Sequence, residues 1–259
     1  MSKFKNNFLF LILIFSILIC FNLGVMAQEY SEAPMLQSEV ESGKLPAVEE
    51  RLPENPLEIE PWNDIGKYGG TWNRFSTNES WVFFRMSQYG NSLVRWKKGG
   101  SEVMPGLLTD WESNENKTIW TLHFRKGVKW SDGNPFDAND FLFWWEEMAV
   151  NSDHPQPVPD WAITGGKRMS VEKIDDYTLQ LNYNAPAPQL IYNLAAYPNG
   201  GLGSFDVVPA HYLKQYHPDY SNEYDNYEVF QEKQEWWVNP ECPVLTAWKP
   251  VLNEAGQRM

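Results

Sequence analysis

Two pairs of adjacent carboxylates are the side chains that come nearest to an acid–base site. Glu146–Glu147 lies in an aromatic segment with helical spacing, and Asp175–Asp176 lies between two segments with strand-like alternation. Neighbouring residues on a helix point in different directions, and carboxylates in a turn are solvated and bond to their own backbone. Neither pair therefore predicts the shared site that a hydrolase needs.

Motifs for nucleophilic or metal-assisted catalysis are absent from the sequence. It contains no Gly-x-Ser-x-Gly, no His-Glu-x-x-His and no phosphate-binding glycine loop. His154, His211 and His217 are scattered or stand beside prolines, which favours surface positions over metal ligation. His123 falls on the polar side of an alternating segment, where a solvated side chain is expected. We therefore expect no catalytic residue, no metal site and no cofactor.

The composition excludes anionic binding partners and favours packing of aromatic side chains. The chain has 34 acidic and 21 basic residues and a net charge of −13, so its surface repels nucleic acid and anionic lipid. It also contains 13 Trp, 12 Tyr and 14 Phe. Aromatic residues at this density build a core or line sites for ring-bearing and apolar groups.

The first 27 residues have the pattern of a secretory signal. Two lysines precede an apolar run from Phe8 to Phe21, and Val25 and Ala27 offer a small-residue cleavage site. We expect cleavage before Gln28 and a periplasmic or extracellular mature chain. A retained membrane anchor is the alternative, since Phe8 to Ala27 is long enough to span a bilayer.

The two cysteines carry little functional information. Cys20 invites a lipid anchor, but a lipoprotein signal needs a small residue before the cysteine and Ile19 is bulky. Cleavage of the signal leaves Cys242 as the only thiol. The mature domain is therefore expected to be held by its core and not by disulfides.

An acidic, proline-rich strap is predicted for residues 28–61, before a globular domain at residues 62–259. Ser31 is suited to cap a short helix that runs to about Ser42 and ends at Gly43. The segment that follows, residues 45–62, should be extended up to the start of the domain, because prolines remove backbone donors and push their predecessors out of the helical region.

The globular region mixes hairpins with helices, which predicts an α+β fold with a mixed sheet. One hairpin is expected at residues 111–125, where Trp120, Leu122 and Phe124 alternate with polar residues after a turn at residues 114–117. Asp137 is placed to cap an aromatic helix, with Asp140 at its third position. Further predicted elements are a strand at 71–75, a helix at 80–94, a hairpin at 169–183 and helices at 189–196 and 210–216.

One continuous stretch resembles the signature of the family 5 extracellular solute-binding proteins. The matching segments are Met104–Glu112 (MPGLLTDWE), Trp120–Gly133 (WTLHFRKGVKWSDG) and Pro135–Phe141 (PFDANDF). Residues 171–188 and 208–213 are similar to pieces that follow in that family. The strap resembles a long-chain branch of it, so the resemblance runs from about Glu32 to the last residues.

This resemblance implies a monomeric receptor with a type II periplasmic-binding-protein fold that closes two lobes on a ligand. Such a receptor delivers its ligand to the permease of an ABC importer. Family members are considerably longer, so the chain is expected to carry most of the first lobe and to lack the second. Peptide is the expected ligand and oligosaccharide the alternative within the family. A secreted hydrolase is the alternative from another class, and a fragment without stable function on its own is a third.

The same resemblance points to four ligand-binding residues. In the family, ligand contacts lie largely on loops facing the cleft, which correspond here to residues 77–81 and 89–92. Asn78, Trp81, Tyr89 and Asn91 combine ring faces with amides, as a site for peptide backbone or sugar requires. The alternative is that Trp81 and Tyr89 belong to the core of the first lobe. The signature itself is expected to be scaffold, with Trp130, Asp132 and Gly133 forming a turn.

Overall fold

The computed structural model describes residues 30–71, 92–153, 158–195, 207–236, 239–246, 249 and 251. The predicted signal with Cys20, most of the predicted strand at 71–75 and nearly all of the predicted helix at 80–94 lie outside these residues. The described chain falls into two compact units that divide between Glu49 and Glu50.

Among the described residues of the first unit, the first helix is α1 (Gln37–Glu41). It begins after Leu36 and not after Ser31, but it ends as predicted, at Ser42 followed by Gly43 with a φ of 71°. A second short helix, α2 (Val48–Arg51), lies where the sequence predicts extended chain. The prediction of extended chain is wrong there. The four helical residues lie between Pro46 and Pro53, so neither proline stands inside the helix, where its missing N–H would interrupt the hydrogen bonds.

The second unit is built from hairpins and short helices. Its elements in chain order are β1 (Val94–Trp96), β2 (Val103–Pro105), β3 (Leu108–Ser113), β4 (Ile119–Phe124), α3 (Ala138–Trp144), β5 (Ile163–Thr164), β6 (Lys167–Arg168), β7 (Ser170–Asp175), β8 (Thr178–Asn182), α4 (Leu190–Ala195), α5 (Ala210–Leu213) and α6 (Glu228–Gln234). A π-helical turn, Trp145–Ala149, continues α3, and a 3₁₀ turn, Asp160–Ala162, precedes β5.

Both predicted hairpins are confirmed, and they join into one antiparallel sheet of order β3-β4-β8-β7. In β4, Trp120, Leu122 and Phe124 are buried while His123 is half-buried on the opposite, polar face. The turn before β4 is closed by Asn114, whose Oδ1 accepts the N–H groups of residues 118 and 119 at 2.9 and 3.0 Å. Alternation in the sequence thus assigns the faces of the sheet correctly.

The aromatic helix α3 packs its rings into the core, as its spacing predicts. Phe124 of β4 meets Phe136 and Phe141 edge-on, with ring centroids 5.5 and 6.4 Å apart. Trp144 stacks on Trp161 at 6.1 Å. Edge-to-face and offset aromatic pairs add stabilisation beyond the apolar area that they bury. The sequence does not predict the change from α to π geometry at Trp145.

The remaining helices differ modestly from the expectations. Helix α4 lies within the predicted segment 189–196, and Pro209 is the N-cap of α5, which ends at Leu213 and not at Tyr216. Val94, the predicted end of a helix, instead begins β1 and pairs with Pro105 of β2. Tertiary pairing overrides local helical spacing at that position.

Residues 50–55 of the strap run along the turn that follows β4. The buried Arg125 guanidinium donates to the carbonyls of Gly106 and Leu108, at 3.2 and 3.3 Å, and to that of Asn55. The N–H of Glu54 donates to the Lys126 carbonyl at 3.2 Å. Arg125 therefore joins the strap to the start of the sheet, with the Glu54 bond beside it.

We expect Arg125→Met to destabilise the chain by about 2–4 kcal/mol, because it removes charge-assisted bonds to buried carbonyls. Exchange of the amide hydrogens of Glu54, Asn55 and Leu57 should accelerate more than exchange in β4 or β8. Urea unfolding and hydrogen-exchange mass spectrometry measure the two effects. The control is Lys126→Met, an exposed cation whose loss should cost within about 0.5 kcal/mol. Equal exchange in the strap of both variants would contradict the assignment.

Candidate functional site

The four predicted ligand residues, Asn78, Trp81, Tyr89 and Asn91, lie outside the described residues. The structure does describe the attachment of the chain that follows Asn91. The carbonyl of Ser92 accepts the N–H of Leu107 at 3.0 Å, and the carbonyl of Leu93 accepts those of residues 106 and 108 at 3.0 and 3.1 Å. The segment that leads out of the candidate loop is therefore held on the signature residues 106–108.

Gly106 makes this attachment possible. A Cβ built on Gly106 would lie 2.1 Å from the carbonyl oxygen of Ser92, which is backbone and cannot rotate away. Two backbone segments of the chain approach each other here so closely that only glycine, which has no Cβ, fits. The glycine of the MPGLL signature is thus a packing requirement of the segment that follows the candidate loop.

Two exposed rings lie on the elements next to this attachment. Trp96 at the end of β1 is 40% exposed and Tyr192 of α4 is 47% exposed, with ring centroids 5.9 Å apart and planes tilted by 30°. Such a pair offers an apolar face to a sugar ring or a side chain. Neither ring was predicted as a ligand contact from the sequence. The feature that could have indicated Trp96 is its place between cationic residues 95 and 97.

Asp140 is the centre of a buried network that joins two parts of the signature to α5. Its Oδ2 accepts the Trp130 indole N–H at 3.0 Å and the Asp137 N–H at 3.2 Å, and its Oδ1 accepts the Ala210 N–H at 3.0 Å. Asp137 accepts from the N–H of Asn139 in return, which completes the predicted helix cap. Burial raises the pKa of Asp140 to about 6 against the opposing effect of these donors.

The Asp132 turn is tied to the later part of the chain. Asp132 Oδ1 accepts the N–H of Asn134 at 3.1 Å, and Asp132 Oδ2 lies 2.8 Å from Nε2 of His211 on α5. Ser131 and Val244 exchange two hydrogen bonds. Partial burial works to raise the pKa of Asp132, but the bonds from His211 and Asn134 lower it below its usual value. The signature turn is scaffold, as expected.

The carboxylate pairs do not form shared acid–base sites. Asp175 Oδ1 accepts the N–H of Tyr177 at 2.7 Å, and Asp176 bonds Lys173 at 2.7 Å, so the two groups have separate partners. Glu147 Oε1 accepts the hydroxyl of Tyr220 at 2.6 Å, whereas Glu146 is exposed. In each pair, the two carboxylates have different partners or exposure. This agrees with the interpretation from the sequence that neither pair forms a shared site.

The surface position expected for His217 is wrong, because its side chain is completely buried. Its ring lies among Phe143, Tyr220, Tyr227 and Phe230, with centroids 5.0 to 5.8 Å away. His211 is half-exposed, and His154 lies outside the described residues. The sequence feature that indicates burial is the series of aromatic residues after His217. The neighbouring proline suggests a surface position instead.

An open polar groove lies where the strap passes the end of the sheet. It is lined by Glu54, Asn55, Thr109, Asp110, His123, Phe124, Arg125, Lys126, Asp175, Asp176, Tyr177 and Thr178. His123 Nδ1 lies 3.5 Å from Thr178 Oγ1, and the Asp175 carboxylate is engaged by its own turn. The groove offers hydrogen-bonding groups, and its contact between the Thr178 hydroxyl and the His123 imidazole is at the long limit of a hydrogen bond.

No helix in the part of the chain that the structure describes has the length and apolar character needed to cross a bilayer.

Comparison with known proteins gives a consistent family. The family model "Bacterial extracellular solute-binding proteins, family 5 Middle" matches residues 102–245. A periplasmic α-galactoside-binding protein of Rhizobium meliloti is 30% identical over 249 residues, which is 86% of this chain and 34% of that protein.

Two solved structures share the fold over most of the chain. An oligopeptide-binding protein OppA has a TM-score of 0.77 and 37% identity over 91% of this chain and 38% of its own. The periplasmic binding protein MelB from Agrobacterium fabrum C58, in complex with stachyose, has a TM-score of 0.61 and 29% identity, covering 88% and 36%. The chain spans about a third of the length of these relatives.

Proposed function

Because the chain belongs to the family 5 bacterial extracellular solute-binding proteins, we propose that it is part of the binding component of an ABC importer. It captures peptides outside the cytoplasmic membrane and delivers them to a permease, without changing a covalent bond. The observation that carries the choice of ligand is the similarity to OppA over 91% of the chain at 37% identity. The signal pattern at residues 1–27 supports export.

Oligosaccharide is the second candidate ligand. It is favoured by the α-galactoside-binding relative and by the stachyose complex of MelB, which match 86% and 88% of the chain. The exposed rings of Trp96 and Tyr192 also suit stacking on sugar. Both ligands require the same kind of receptor, so the proposal for transport does not depend on which one binds.

A direct binding comparison separates the two ligands. The protein to use is the product of the uninterrupted reading frame that contains this chain, purified and examined by native mass spectrometry for ligand carried through purification. Isothermal titration then compares a mixed short-peptide pool with stachyose. Binding of peptide alone supports the main proposal, and binding of stachyose alone supports the second candidate. Turnover of either compound would contradict both.

The four loop residues remain our proposed ligand contacts, and Trp81 is the one to test first. We expect Trp81→Ala to weaken binding of the preferred ligand at least tenfold while leaving the unfolding temperature nearly unchanged, as for a ring that buries ligand surface. Titration calorimetry measures the affinity. The control is Trp62→Ala, which removes a ring that is 72% exposed on the strap and should keep the original affinity. A large loss of stability in Trp81→Ala would instead support a core role.

A further inference from the structure

Three side chains of the metal-ligand type meet outside the Asp140 network. Glu147 lies in the π-helical turn after α3, while His217 and Asp219 follow α5. One ligand atom from each of the three lies within 4.8 Å of the other two. Single π turns inside α-helices occur frequently at functional sites, since they redirect one or two side chains.

The imidazole of His217 provides the observation that points to a ligand. Its side chain is 0% exposed, and its Nε2 has no hydrogen-bond partner among the residues that the structure describes. Glu147 Oε2 lies 3.5 Å from this nitrogen. That separation is long for a hydrogen bond. It is close to the separation of about 3.3 Å between two ligands of a tetrahedral ion with bonds of about 2.0–2.1 Å.

The surroundings hold two of the three groups in place. Tyr227 and Phe230 meet the His217 ring at 88° and 90°, with centroids 5.1 and 5.0 Å away, so the imidazole is confined. The Tyr220 hydroxyl donates to Glu147 Oε1 at 2.6 Å and leaves Oε2 directed to His217. Hydrogen bonds of this kind orient ligating carboxylates in metal sites. Asp219 is exposed, so its carboxylate can rotate to complete the set.

We propose that Glu147, His217 and Asp219 bind a divalent transition-metal ion of the Zn²⁺ type. His217 contributes Nε2, each carboxylate contributes one oxygen, and solvent occupies the remaining position. Mixed imidazole and carboxylate ligands suit this class of ion, whereas Ca²⁺ and Mg²⁺ prefer oxygen alone. The two negative charges of the carboxylates are balanced by the ion.

Metal binding changes the tautomer of His217. Without metal, Nδ1 accepts the N–H of Asp219 at 3.2 Å, which places the ring proton on Nε2. With metal on Nε2, that proton moves to Nδ1 and the Asp219 bond is lost, so the turn at residues 217–219 must shift. Burial lowers the pKa of His217, against the opposing effect of Glu147 and Asp219, and so favours the neutral ring that a metal requires.

Zinc titration of the full chain, carrying no histidine tag, tests the proposal. We expect one Zn²⁺ per chain by isothermal titration and a higher unfolding temperature with Zn²⁺ present. Glu147→Gln and Asp219→Asn should each weaken binding at least tenfold, because each removes a charged ligand. The matched control is Glu146→Gln, an exposed neighbouring acid outside the cluster, which should stay within twofold of the original affinity.

A second measurement identifies the histidine without mutating a buried ring. On ¹⁵N-histidine-labelled protein, Zn²⁺ should shift the ring nitrogens of one histidine, and that signal should not respond in the Glu147→Gln, Asp219→Asn double variant. Unchanged zinc affinity in this double variant would overturn the site. A response confined to the histidines at positions 123, 154 or 211, or no stoichiometric binding at all, would overturn it as well.

Discussion

Gly106→Ala is expected to destabilise the second unit by about 3 kcal/mol or more. The new Cβ would lie 2.1 Å from the Ser92 carbonyl oxygen and 3.1 Å from that of Leu93, both of which accept hydrogen bonds from this turn. Relief requires the backbone to separate and to lose those bonds, which adds unsatisfied groups to overpacking. Urea unfolding followed by tryptophan fluorescence measures the loss.

The matched control for this prediction is Gly66→Ala. A Cβ at Gly66 meets nothing within 4 Å and the residue has no positive φ, so the substitution should be neutral or stabilise slightly. If Gly106→Ala and Gly66→Ala unfold at the same urea concentration, residues 92–93 and 106–108 are not packed as described. Because our proposed ligand contacts at residues 78–91 precede this turn, we expect Gly106→Ala also to weaken the ligand binding proposed above.

Asp140→Asn is expected to show a loss of stability that depends on pH. Both oxygens of the Asp140 carboxyl group can accept hydrogen bonds, whether or not it is ionised, but only one of the two end atoms of an amide can. At least one of the donors from Trp130, Asp137 and Ala210 therefore meets an NH₂ group. We expect a cost of about 2–4 kcal/mol at pH 4. Unfolding in urea at several pH values between 4 and 7 measures it.

The direction of the pH effect follows from the raised pKa of Asp140. Burial raises this pKa from 3.8 to about 6, so the stabilisation associated with the neutral acid is fully present below pH 3.8 and is lost as pH rises through about 6. This group therefore lowers the stability of the unmodified chain by up to about 3 kcal/mol across that window. Asparagine does not ionise, so the difference between the two proteins should shrink as pH rises.

Asp137→Asn provides the control for the pH series. Asparagine caps helices about as well as aspartate and keeps an acceptor for the Asn139 N–H, so the loss should stay within about 1 kcal/mol. Groups such as Asp132 titrate in all three proteins and cancel in the differences. A difference between Asp140→Asn and the unmodified chain that is constant from pH 4 to pH 7 would contradict the raised pKa.

The hairpins and the capped helix could be predicted because their signals are local. A turn residue such as Asn114 bonds groups four and five positions away, and alternation along β4 assigns buried and polar faces without knowledge of the partner strand. The N-cap at Asp137 is likewise completed by a neighbour three residues later. These features depend on residue type and on short spacings along the sequence, so they can be recognised without the tertiary structure.

Long-range contacts account for the features that the sequence analysis missed. His217 has a proline beside it, as surface histidines often do, yet rings from α3 and from the start of α6 bury it. The Asp140 carboxylate meets the Ala210 N–H across 70 residues of chain. Trp96 and Tyr192 form a pair only because α4 packs against β1. Neither hydrophobic periodicity nor a short motif in the sequence specifies these tertiary contacts.

By itself, the sequence determined the family, the α+β class and the faces of the main sheet, because short-range spacing and turn chemistry specify them. Only the tertiary structure decided which buried groups share an environment: the Asp140 donors, the Gly106 contact and the Glu147–His217–Asp219 cluster. Burial and hydrogen-bond geometry are properties of segments brought together by folding. A carboxylate or an imidazole acquires its function from neighbours that lie far away along the chain.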